Sequence, residues 1–399
     1  MKVVHIGFDS TSRMAWTRNL PQTRKYFLES LGGIELEGHH ILGSGTVQAG
    51  LLPLLTGMME TDLPSARVDN ISAVNVDNFP WIWKEFKQAG YVNVYGEDLF
   101  RLNAFSMDED LVEFLKMLEK QNYLNHTVLI LMADHGSRIT SIRSTQQGKL
   151  EERLPYFGFG FPPSFVRDYP EAVTQLRRNR KRLTTCFDVH ETLHDLLDYR
   201  NINKTASERP SSTKGRGISL FREIPRSRTC AQAGVQVHWC TCLEWELVSD
   251  QSLINASAKA ALDVINSWTQ SFRDMCVLLQ LKHVVSLRRL KVNHAVEKYN
   301  GDLDRHGDLP NFLGKMTTNI DFLQVNLFSQ PGDAAFEVTI RHLPDESRFE
   351  VSPLAVSRIN KYGDDPGCIA TTHPHLRPFC FCKERLVMKF EKESHLHIL

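Results

Sequence analysis

The chain has 399 residues, with 47 lysines and arginines balanced by 47 aspartates and glutamates. That balance excludes a partner gripped by bulk charge, whether nucleic acid or an anionic membrane surface, and no apolar run approaches the ~20 residues of a transmembrane helix. The length allows a large core, expected as one large domain with a smaller companion.

Val3–Phe8 is an apolar run that stops on Asp9, the pattern of a strand buried on both faces. A helix is expected over Thr17–Leu31, ended by Gly32-Gly33, and a short strand over His39–Leu42. Gly43-Ser-Gly-Thr46 is a glycine loop ahead of an apolar segment, so Thr46 stands where a threonine caps a helix or faces its positive end. Pro80–Gly90 has proline near its start and a glycine stop, as a helix would. Tyr91–Tyr95 is expected as a strand leading to Glu97 and Asp98, and Asp108–Gln121 as an amphipathic helix.

The chain is organised around Thr127–Gly136. An unbroken aliphatic run ends on Asp134-His135-Gly136, and ligands of parallel sheets sit beyond the carboxyl ends of such strands. Two buried strands ending on carboxylates, one followed by a histidine, supply oxygen and nitrogen donors suited to a zinc-like ion. Leu154–Phe161 is expected as another strand. Cys186–Leu197 is an amphipathic helix bearing His190-Glu-Thr-Leu-His194, whose histidines share a face at i, i+4. This motif is ranked below the strand-end constellation as the main site. After a polar loop at 201–217, a helix about Ala258–Phe272 precedes strands at 277–290, 322–328 and 336–341, with a turn at Pro331-Gly-Asp.

Phe8-Asp9-Ser, Gly45-Thr46 with Leu54-Leu-Thr-Gly57, and Met132-Ala-Asp-His-Gly136 resemble the alkaline-phosphatase-like superfamily, which includes sulfatases and phosphoethanolamine transferases. Leu150–Pro155, Arg182-Leu-Thr-Thr, Phe187–Leu193 and Gly217–Phe221 are similar, more narrowly, to the animal family called domain of unknown function 229. The resemblance implies an α/β fold. It would have a three-layer α/β/α core with a mostly parallel sheet over 1–227, and a small cysteine-containing α+β module over 228–399. It also implies that Asp9, Thr46, Asp134 and His135 hold a divalent metal, zinc by preference and calcium as the alternative, with Thr46 as nucleophile. His190 is assigned an accessory role. Phosphate esters are favoured over sulfate esters because Gly45-Thr46-Val-Gln-Ala lacks the cysteine or serine, proline and arginine of a formylglycine sulfatase. The substrate class is a small-molecule, glycan-linked or lipid-linked ester, and the alternative is an inactive extracellular binding protein that keeps the fold.

Two departures from the relatives are expected. The chain opens directly on a core strand, as if truncated at its start. Near residue 105 it runs almost straight into the helix before Asp134, where relatives carry strands and a Ser-His-Asp element for a second metal subsite. Loss of strands there would expose edges that invite aggregation. Cys230, Cys240, Cys242, Cys368, Cys380 and Cys382 form two lone-cysteine-plus-C-x-C clusters, read as disulfides rather than zinc modules. With sequons at Asn70, Asn125, Asn203 and Asn255, they point to an extracellular or lumenal parent protein.

Overall fold

The computed structural model describes residues 1–43, 47–63, 76–96, 107–138, 140–199, 202, 213–291 and 321–386. The chain divides into two units, Met1–Arg138 with Ile142–Thr241, and Ile139–Ser141 with Cys242–Leu399. The division follows Thr241, where the sequence placed it after 227.

The first unit runs β1 (Lys2–Phe8), α1 (Arg13–Asn19), α2 (Pro21–Lys25), β2 (Ile34–Glu35), α3 (Val47–Thr56), α4 (Ile82–Gln88) and α5 (Met107–Lys120). It continues with β3 (Thr127–Ala133), α6 (Gln146–Arg153), β4 (Phe157–Gly160), α7 (Pro163–Asp168), α8 (Pro170–Asn179) and α9 (Cys186–Leu197). The single helix expected over Thr17–Leu31 is split at Pro21 into α1 and α2, and a π-helical turn occupies Tyr26–Ser30.

Four strands form a sheet in the order β1-β3-β4-β2. β3 is buried along its whole length, as its uninterrupted aliphatic sequence predicts. β1 runs parallel to β3 in a register that sets Lys2 beside Thr127 and Phe8 beside Ala133. On one face Ile6, Phe8, Leu129, Leu131 and Ala133 pack against Trp16, Phe27, Leu111 and Leu115. Trp16 also stacks on Tyr156 with ring centroids 3.9 Å apart.

The sheet is mixed rather than mostly parallel, because β4 pairs antiparallel with both β3 and β2. The reason is local: Met132 at the end of β3 pairs with Phe157 at the start of β4. The link between them therefore stays at one sheet edge and makes no crossover. Two expected strands do not form. His39 makes only an isolated bridge to Thr184. Tyr91–Tyr95 has no strand partner among the described residues, and its Val92 and Val94 are 91% and 92% exposed. A strand-like composition does not make a strand without a neighbour to pair with.

The second unit comprises β5 (Trp245–Leu247), α10 (Gln251–Trp268), β6 (Gln280–Leu290), β7 (Asp321–Gln330), β8 (Ala334–Leu343) and β9 (Arg348–Arg358). The five strands are antiparallel in sequence order, so each follows from its predecessor without a crossover. Asp250 caps α10 through the Ser252 and Leu253 amides. The small Ala258 and Ala261 then let the helix approach Leu287, Val325, Phe336 and Val338 of the sheet.

Six cysteines pair as Cys230–Cys240, Cys276–Cys380 and Cys368–Cys382. The first bridge belongs to the first unit, and the other two staple the second. One expectation is corrected and one partner added: Cys242 keeps a free, exposed thiol, and Cys276, which lies outside the two clusters, takes a place in a disulfide.

Candidate metal centre

The register of β1 against β3 builds the site. Phe8 lies beside Ala133, so the next residues, Asp9 and Asp134, emerge together at the carboxyl edge of the parallel pair. Their side chains meet at His135. Its Nε2 lies 3.6 Å from Asp9 Oδ1 and 3.3 Å from Asp134 Oδ2. All three donor atoms fall within 4.8 Å of one another.

Each residue is held by its backbone surroundings. Ser10 adopts a left-handed φ of 58°, uncommon for a non-glycine residue, which turns its amide onto Asp134 Oδ1 at 3.1 Å. The His135 amide donates to the same oxygen at 2.8 Å. With Oδ1 committed, Oδ2 is the oxygen turned toward the imidazole. His135 is 1% exposed, and its Nδ1 donates to the Gly136 carbonyl at 2.7 Å. That bond puts a ring proton on Nδ1 and leaves Nε2 facing the two carboxylates. Gly136 is required because a Cβ there would sit 1.8 Å from the Glu151 carbonyl oxygen.

The three donors differ in their surroundings. Burial pushes the Asp134 carboxyl above its usual range. The neighbouring His135 and the Ser10 amide oppose that rise, while Asp9 adds to it. Two carboxylates and one imidazole nitrogen suit zinc; calcium prefers oxygen donors alone. Asp9 has its side chain 83% exposed, which leaves the site open toward solvent.

α3 reaches the same edge. A Cβ on Gly50, in its first turns, would stand 3.2 Å from the Asp134 carbonyl oxygen. Thr46 immediately precedes α3 in sequence, but it lies outside the described residues. His190 is not with Asp9, Asp134 and His135: it sits on α9, with Nδ1 donating to the Leu54 carbonyl at 2.8 Å. Asn125 and Asn255 are exposed, while Asn70 and Asn203 lie outside the described residues.

Sequence reasoning missed two partnerships in the first unit. Asp188 is fully buried and accepts both Arg228 guanidinium nitrogens at 2.8 and 2.9 Å. Glu85 lies 3.1 Å from His194 Nδ1. Neither pair is close in sequence, and no periodicity marks them. The thiol of Cys186 is buried and held at about 12, first by desolvation and then by Asp188 and Asp134, so it is not a nucleophile near neutral pH.

A search of curated proteins finds no match. Among solved structures, the chain is similar to the C-terminal periplasmic domain of phosphoethanolamine transferase EptC from Campylobacter jejuni. That likeness has 10% identity and a TM-score of 0.31, over 56% of this chain and 96% of that one. The corresponding domain of EcEptC from Escherichia coli gives 11% identity and a TM-score of 0.32, over 57% and 86%. At that level the likeness carries no argument about activity. No helix among the described residues is long and apolar enough to cross a membrane. The family match is of another order, covering residues 1–107 and 104–285 in two pieces that meet where the sequence points to a lost insert: the chain belongs to the family described as Protein of unknown function (DUF229).

Proposed function

We propose that this chain is a divalent-metal site built for phosphate-ester chemistry, holding zinc through Asp9, Asp134 and His135 together with Thr46, and working weakly in its present length. The observation that carries the reading is the convergence of His135 Nε2 with two carboxylate oxygens 3.6 and 3.3 Å away. The ion would lower the pKa of a hydroxyl at the site and neutralise charge on the transferred group. Thr46 is the nucleophile in this account. Its oxygen bonds to phosphorus as the ester's leaving oxygen departs, and water or an acceptor alcohol then releases the threonyl phosphate. Ser10 and the His135 amide hold Asp134, and Gly136 holds the His135 tautomer, so the donors are oriented before any ligand arrives.

The parent protein is placed outside the cell or in the secretory lumen, which the three disulfides support. Its substrate is a small-molecule, glycan-linked or lipid-linked phosphate ester, with sulfate esters the second choice. Each electrostatic partner removed from such a centre typically costs on the order of 10²–10³ in rate. The missing Ser-His-Asp element therefore predicts slow turnover.

The test is hydrolysis of an aryl phosphodiester and an aryl sulfate by the zinc-loaded chain and by Thr46→Ala. Slow phosphodiesterase activity, lost in Thr46→Ala, is expected. Robust turnover that Thr46→Ala leaves unchanged would show that the nucleophile is wrong. Zinc binding without any turnover would favour the binding-protein alternative.

A further inference from the structure

A second set of side chains in the first unit meets the same physical criterion without sharing a residue with the strand-end site. His190 is 2% exposed, and its Nδ1 faces the Leu54 carbonyl oxygen at 2.8 Å. A carbonyl only accepts, so this nitrogen carries the ring proton and Nε2 carries the lone pair. One helical turn later, His194 Nδ1 lies 3.1 Å from Glu85 Oε2 on α4. A carboxylate also accepts, so His194 too is drawn to the Nδ1-protonated tautomer. The two Nε2 atoms then face each other 3.1 Å apart, with the rings at 83°.

A positive charge shared between the two facing Nε2 atoms, a proton or a metal ion, would satisfy both. Nitrogens 3.1 Å apart, each bonded to one ion at the usual zinc distance of about 2.1 Å, would subtend about 95°, between octahedral and tetrahedral values. The outer partners match as well, since metal-bound histidines characteristically donate their other ring N–H to a carbonyl or a carboxylate.

We propose that His190 and His194 bind a divalent transition-metal ion through their Nε2 atoms, with the Leu54 carbonyl and Glu85 fixing the tautomers. Further donors complete the coordination. The sequence His190-Glu-Thr-Leu-His194 fits the zincin pattern, but the structure separates this site from zincin chemistry. Glu191, which would be the general base, accepts the Thr213 amide at 3.1 Å and the Thr213 hydroxyl at 2.9 Å. The ion therefore clamps α9 between α4 and the carboxyl end of α3; it does not activate water against Glu191. Nothing in this site depends on the function proposed for Asp9, Asp134 and His135.

The experiment is calorimetric titration of the full chain with zinc, repeated with copper(II) as an electron paramagnetic resonance probe of nitrogen ligands. The background is Asp134→Asn, which disables the strand-end site. One ion should remain bound, with imidazole coupling in the copper spectrum. His194→Gln in that background should abolish it, and Glu85→Gln should weaken it 10- to 100-fold. Should the buried His190→Gln fail to fold, the other two variants, checked by circular dichroism, still decide. A folded Asp134→Asn chain that takes up no ion would overturn the proposal, because the ring pair would then be sharing a proton. Binding unchanged by His194→Gln would overturn it equally. Loss of an ion in Asp134→Asn but not in His194→Gln would leave the strand-end centre standing and refute only this second site.

Discussion

Two aspartates in the first unit show how surroundings set a carboxylate's role. Asp134 is desolvated at the sheet edge and pushed upward, so it gains by meeting a cation. Asp62 is already satisfied. Desolvation raises its pKa, but hydrogen bonds from Lys214 and Arg216 outweigh that and bring it down to about 2. A carboxylate depressed in the folded state contributes stability above its unfolded value, and that contribution disappears as pH falls through the folded value. Asp62→Asn should therefore cost up to about 1 kcal/mol near neutral pH, allowing for solvent screening of its exposed side, and only a small fraction of that at pH 2. Urea unfolding of both chains at the two pH values checks this, and an equal cost at both would contradict it. Asp9, Asp134 and His135 were legible in the sequence because buried strands deliver the residues that follow them to one edge. Asp62, Glu85 and Arg228 were not, since their partners are chosen by tertiary packing rather than by any local pattern.

At the scale of elements, α9 shows both the reach and the limit of sequence reasoning. Its extent, Cys186–Leu197, follows from the Thr185–Asp188 capping box and the apolar periodicity, and it forms as expected. Its burial on nearly every side does not follow, because a half-polar sequence reads as a surface helix. The polar positions are buried because each meets a specific partner, above all Asp188 with Arg228, Ile218 and Thr185. Arg228→Met should leave the Asp188 charge buried and uncompensated, at a cost of about 3–5 kcal/mol. A loss below about 1 kcal/mol in urea unfolding would mean that the backbone amides alone satisfy Asp188. The mixed sheet was hidden for a related reason: strand direction depends on whether a link crosses the sheet or stays at one edge, and apolar strand patterns carry no such information.

For the whole molecule, the telling feature of the first unit is the sheet edge that its described residues leave open. β1 lies at the end of the sheet order, with Val4 39% exposed. Tyr91–Tyr95 leaves Val92, Val94 and Tyr95 at 91%, 92% and 78% exposure. The family match breaks at 104–107, where relatives' added strands were expected from the sequence. A strand with one side unpaired among the described residues and an exposed β-prone segment are templates for association between copies. Replacing Val92 and Val94 with lysine should reduce concentration-dependent association in light scattering, while zinc affinity stays unchanged. Equal association in both chains would show that this surface is innocent.

The central functional claim is that Asp9, Asp134 and His135 form a metal centre. The most direct measurement is zinc titration of the His194→Gln chain, in which the second pair of histidines is disabled, against the same chain carrying Asp134→Asn. The account predicts one bound ion in the first and none in the second, with both folded by circular dichroism. Zinc bound equally by both chains, or by neither, would contradict it.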